Sequence, residues 1–157
     1  MPRVVLSPVA EEDIIEILAW SHEHFGELAR LRYEALLTQD IVDIAEDPKR
    51  TGIISRDELA VGARTYHLWH SRQRAERAVG IVSKPRHFLL FRLNSDREIE
   101  IGRVLHDSMD LASNLPDGYS LIRGSCRATL LRLIQGRGTE TGILLQPNVL
   151  ERHNGRR

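Results

Sequence analysis

The sequence predicts an α+β domain, an N-terminal αα-hairpin packed on one face of a small antiparallel sheet of three to four strands. Three observations carry this. Apolar residues recur at helical spacing up to Glu46 and at alternating spacing after Gly62. Helix start and stop signals stand at Ser7-Pro8, Gly26 and Asp47-Pro48. Two strand-like runs, 88–93 and 99–105, flank Asn94-Ser95-Asp96-Arg97, which is turn chemistry.

The first helix is expected over residues 7–25. Ser7 suits an N-cap, Pro8 the first helical position, and Glu11, Glu12 and Asp13 the positive end of the helix dipole. Ala10, Ile14, Ile17, Leu18, Ser21 and Phe25 share one face, and Gly26 is a natural stop. The second helix is expected over residues 27–46. Leu28, Leu31, Ala35, Thr38, Val42 and Ala45 line its face, widened by Tyr33, Leu37, Ile41 and Ile44. One glycine between two helices makes an antiparallel hairpin. Residues 48–63 show no period and read as a loop. Residues 64–70, 87–94 and 99–106 read as strands, with a basic loop over 71–78. Asp107 or Ser108 is expected to cap a short helical turn before Pro116.

Composition narrows the function. Hydrophobic residues are 41% and charged residues 28%, enough to bury a core and too ordered a mixture for wholesale disorder. The longest uncharged run, 141–150, is far short of the roughly 18 residues a membrane helix needs. The N-terminal apolar stretch is too short for a signal peptide, so a cytoplasmic protein is expected. The one cysteine, Cys126, excludes an internal disulfide and a cysteine-based zinc site. The seven histidines show no metal spacing, His22 and His24 facing apart on their helix, so neither metal nor other cofactor is expected.

Basic and acidic residues balance at 22 each, but unevenly along the chain. Residues 117–157 hold seven arginines, no lysine and three acids, a surplus of four positive charges. Residues 1–116 hold the other 15 bases and 19 acids, and seven of the eight aromatics. Composition shifts at Leu115-Pro116-Asp117-Gly118, itself a turn signal. Two parts are therefore expected: a domain over 1–116 and a basic, partly disordered extension over 117–157. Within the extension, 125–135 reads as a short basic amphipathic helix carrying Cys126, Leu130, Leu133 and Ile134, with Arg123, Arg127 and Arg132 nearby. Arginine without lysine is also what GC-rich codons give in a read-through extension.

Five stretches in order resemble the RelE/ParE superfamily of bacterial type II toxins, and its ParE branch most. They are LSPVAEEDIIEILAW from Leu6, DIAEDPKRTG from Asp43, GARTYHLWHSR from Gly62, PRHFLLFRL from Pro85, and IEIGRVLHDSMDLASNLP from Ile99. The resemblance covers residues 3–116. It implies a RelE/ParE-like fold and a plasmid-stabilisation toxin neutralised by a cognate, ParD-like antitoxin. It further implies growth arrest by poisoning DNA gyrase, without catalysis. The alternatives are a RelE-like, ribosome-dependent mRNA endoribonuclease and an inactive toxin fold that only binds antitoxin.

The residues can be weighed against these functions. An endoribonuclease needs a base, an acid and cations at the scissile phosphate. Arg64, Arg86, Arg103 and His106 are the candidates, and alternation places Arg103 on one face with Ile99, Ile101 and Leu105. The acidic balance of 1–116 disfavours the phosphate-rich ribosome and any direct sequence-specific contact with nucleic acid. His106 and Asp107 are expected to point to opposite faces and so not to act as a pair. Under the gyrase reading no residue is catalytic. Arg72, Arg74 and Arg77 are then the target-contact candidates. Tyr66, Leu68, Phe88 and Leu90 are expected to form an exposed apolar face that binds the antitoxin.

Overall fold

A computed structural model describes residues 1–116; the extension over 117–157, with its expected helix, lies outside the described residues. The elements run β1 (Val4–Leu6), α1 (Pro8–Phe25), α2 (Glu27–Glu46), β2 (Ile54–Ser55), β3 (Arg64–His67), β4 (His87–Leu93) and β5 (Ile99–His106). The α+β reading holds, and both helices sit where their caps placed them. The Ser7 hydroxyl accepts from the Ala10 N–H at 3.0 Å, and Gly26 turns the chain between the helices at φ +82°.

The sheet is larger than expected and mixed. Its order is β1-β5-β4-β3-β2. β1 pairs parallel with β5, Val4 beside Ile99 and Leu6 beside Ile101, while the other pairs are antiparallel. β1 and β2 have three and two residues, too few for a period to show. The two edge strands are thus visible only through their partners.

Three further expectations are corrected. β3 ends at His67, and Leu68–His70 form a 3₁₀ turn in which the His67 ring accepts from the Trp69 N–H at 3.0 Å. The alternation expected through His70 therefore stops three residues early. On β5, Leu90 pairs with Arg103 but Phe91 pairs with Ile101, so Gly102 is an extra residue in a β-bulge. The bulge resets the period. Val104, and not Arg103, joins Ile99 and Ile101 in the core under the helices. The bulge is fastened to α1: the Ser7 hydroxyl donates to Gly102 O at 2.7 Å, and Asp13 accepts from Val104 N at 2.9 Å.

The third correction concerns α2. Its buried face is Leu36, Leu37, Asp40, Ile41, Asp43, Ile44 and Ala45, whereas Leu28 is exposed. Tyr33 is half-buried, and Leu37, Ile41 and Ile44, expected only to widen the stripe, lie at its centre. Two aspartates on the buried face masked it from a reading based on apolar spacing. The main core joins these residues to Leu6, Ala10, Tyr66, Leu68, Leu89 and Phe91. On the opposite face of the sheet, Ala63 and Leu90 are covered by Ala60, Leu111 and Leu115. No helix among the described residues is long and apolar enough to cross a membrane.

Candidate functional site

Antiparallel pairing brings the end of β3, the start of β4 and the end of β5 together. His67 lies opposite Phe88, and His87 opposite His106. Three imidazoles, Arg86, Asp107 and Tyr33 of α2 therefore gather at one end of the sheet. The Tyr33 hydroxyl donates to His87 Nδ1 at 2.5 Å and accepts from the Arg86 N–H at 3.3 Å. Arg86 Nε pairs with Asp107 Oδ2 at 2.8 Å. The rings of His87 and His106 meet edge to face at 5.2 Å.

Electrostatics set the protonation states. Burial pushes the His87 pKa down to about 4, with the neighbouring His106 adding to the effect, and burial pushes Tyr33 up to about 12. At neutral pH His87 is therefore uncharged and Tyr33 keeps its hydroxyl proton. Burial likewise lowers the pKa of His67, against the opposing pull of Asp107. A depressed histidine pKa leaves stability complete above the unfolded value, near 6.5, and removes it as pH falls toward about 4. His87→Gln should flatten that part of the stability curve, removing at most one proton from the slope. Urea unfolding between pH 7 and 4 measures it, and a slope equal to the parent's would contradict the assignment.

Beside this cluster opens a cleft of about 660 Å³ between the helical hairpin and the 81–86 segment. Ile17, Trp20, Phe25, Ile81 and Val82 give it apolar walls, and Arg32, Lys84 and Arg86 stand around them. Trp20 and Phe25 pack edge to face at 5.4 Å yet remain 53% and 67% exposed. Gly80, just before Ile81, packs against Arg32. Its φ is +93°, and a Cβ there would lie 2.7 Å from Arg32 Nε, which donates to Val79 O at 2.6 Å.

The structure separates the residues considered for RNA cleavage. Arg64 Nη1 donates to Pro48 O at 3.0 Å, and Arg103 pairs with Asp13 at 2.8 Å and donates to Asn114 O. Arg64 lies opposite Phe91, five positions from Arg86, about 17 Å along the strand. These arginines do not converge on one patch. His106 and Asp107, expected to face apart, are in contact: β5 ends at His106, and Nδ1 lies 3.3 Å from Asp107 Oδ1 and 2.6 Å from Ser108 Oγ. Neither Asp107 nor Ser108 caps the turn. The His106 ring accepts from Ser108 N–H at 3.1 Å, and Asp110 accepts from Ser113 N–H at 3.0 Å.

The expectation that four sheet residues form an exposed apolar face is also corrected. Tyr66, Leu68, Phe88 and Leu90 are all buried. Tyr66 and Leu68 belong to the core under the helices, and Leu90 lies beneath Leu111 and Leu115. Exposed apolar side chains stand instead on the helices, at Ile15, Trp20, Phe25 and Leu28, and in the loops, at Val61, Trp69 and Ile81. Of the three loop arginines, Arg72 stacks on the Trp69 ring at 3.1 Å and donates to Ser83 O. Arg74 is tied to Asp43 at 3.1 Å and Glu46 at 3.2 Å, and Arg77 donates to Gln73 O at 3.4 Å.

A second polar cluster was not legible in the sequence. Asp43 is fully buried and accepts from Ser71 Oγ at 2.6 Å and Gln39 Nε2 at 2.7 Å, with Arg50 at 3.2 Å. One turn earlier, Asp40 is also fully buried, and neither carboxylate oxygen has a hydrogen-bond partner. Burial holds its pKa well above the ordinary carboxylate range, and the charge of Asp43 adds to this. Among the described residues, no three His, Cys, Asp or Glu gather closely enough to hold a metal ion.

The protein is a helical hairpin packed on a five-stranded mixed sheet, with an open cleft beside the hairpin. The family of ParE toxins of the type II toxin–antitoxin system parDE matches residues 4–111, and the chain belongs to that family. It is a toxin whose partner is an antitoxin. No curated protein matches the chain.

Proposed function

We propose that this toxin arrests growth by poisoning DNA gyrase through surface contacts, without chemistry of its own. The family match carries the reading. The engagement of Arg64 and Arg103 in backbone and ion-pair contacts far along the sheet from Arg86 supports it. Arg72, Arg77 and Trp69 form the target-facing surface. Arg74, tied to Asp43 and Glu46, serves the fold first. The antitoxin lays an apolar segment with acidic flanks into the cleft, where Trp20, Phe25 and Ile81 meet its side chains and Lys84 and Arg86 its charges. On this reading the antitoxin contact lies on the helices and the 81–86 segment, not on the four buried sheet residues.

Expression without antitoxin tests the target. Filamentation with DNA breaks is expected; intact DNA with cleaved messenger RNA would establish the ribonuclease, and unimpaired growth an inactive fold. His106→Ala should leave growth arrest within about twofold of the parent, because no proton transfer is assigned to that ring. Arrest abolished by His106→Ala, in a chain whose melting temperature is unchanged, would contradict the reading.

A further inference from the structure

The outer face of α1 carries an acidic and apolar strip that nothing in the described fold covers. Glu12, Ile15, Glu16, Ala19, Trp20 and Glu23 are all exposed and fall on one side at helical spacing. Ile15 is 66% exposed, and neither Glu12 nor Glu23 forms an ion pair with another described residue. The described chain ends beside this strip. Arg103 joins Asn114 O to Asp13 of α1, which lies one turn before Glu16.

We infer that the C-terminal extension of this same chain is the occupant, its 125–135 segment packing along the outer face of α1. Charge argues for it: seven arginines against three acids in the extension meet a domain with four more acids than bases. Pattern agrees, since Arg123, Arg127 and Arg132 accompany Leu130, Leu133 and Ile134 as the glutamates accompany Ile15 and Trp20. Reach is ample. Cys126 lies ten positions after Pro116, up to about 33 Å when extended, and Glu12 to Glu23 spans about 16 Å of helix. Individual exposed ion pairs are weak, but tethering turns docking into an intramolecular event at high effective concentration. The contact covers Ile15, competes with the antitoxin segment for Trp20, and weakens as salt rises.

The test uses the full chain made by cell-free synthesis, labelled with nitrogen-15 and carrying a nitroxide on Cys126. Amide signals of Ile15, Ala19 and Glu23 should lose more than half their intensity, while Ile54 and Val61 at the far edge of the sheet keep theirs. The triple change Arg123→Glu, Arg127→Glu, Arg132→Glu should abolish the loss. Adding Glu12→Lys, Glu16→Lys and Glu23→Lys should restore it. A flat broadening profile, or one unmoved by the arginine changes, overturns the inference. Broadening that persists when spin-labelled and nitrogen-15 chains are separate molecules points to a second copy and also overturns it. None of these readouts depends on toxicity, so they stand apart from the choice of target.

Discussion

Asp43→Ala should cost about 3–5 kcal/mol, the penalty for removing one partner of a buried charge pair. The carboxylate gathers Ser71, Gln39, Arg50 and Arg74 at distances between 2.6 and 3.2 Å while fully buried. Its loss removes the carboxylate beside Arg50 and leaves the Ser71 hydroxyl only the longer contact to Tyr66 Oη at 3.4 Å. A domain of this size has only about 5–15 kcal/mol in total, so the variant should lose a large fraction of its stability and melt well below the parent. Arg74→Ala, at a side chain 46% exposed, should cost under about 1 kcal/mol. Chemical unfolding of the two variants checks the contrast. Equal losses would mean that Asp43 does not organise the cluster. The contrast also guards the functional reading, since lost toxicity in a chain changed at Asp43 reports folding and not target contact.

Asp40→Ala should act in the opposite direction and stabilise the chain by about 1–3 kcal/mol at neutral pH. The parent buries a carboxyl whose two oxygens have no partner, on a helix where alanine is the better former. The gain should depend on pH. An acid whose folded pKa is raised contributes no loss below its unfolded value, near 4. It costs progressively more as pH rises toward the folded value. Parent and variant should therefore converge near pH 4 and separate by pH 7, with the melting temperature several degrees higher in the variant. A variant less stable than its parent at pH 7 would show that the carboxyl is satisfied and that the fold depends on it.

The helical hairpin, the two long strands and the family were legible because their signals are local. A serine–proline start, a glycine stop and alternating apolar runs act on neighbouring residues and need no knowledge of what they will touch. Where tertiary partners decide, that reading fails. Val4–Leu6 becomes a strand only because Ile99–Ile101 offers it a ladder, and Ile54–Ser55 only beside Arg64 and Thr65. The bulge at Gly102 exchanges Arg103 for Val104 in the core, and alternation carries no mark of an inserted residue. Leu68 and Leu90 looked free to bind a partner, yet the chain's own later residues cover Leu90, and the helices cover Leu68. The candidate site shows the same division. The residue types were visible one by one, but Tyr33 and His87 meet across 54 positions of sequence, and Asp43 and Ser71 across 28. By itself the sequence determined which segments could be helix or strand and to which toxin family they belong. Only the tertiary structure decided which polar groups meet and which apolar ones stay exposed, because burial and pairing are properties of distant segments brought together.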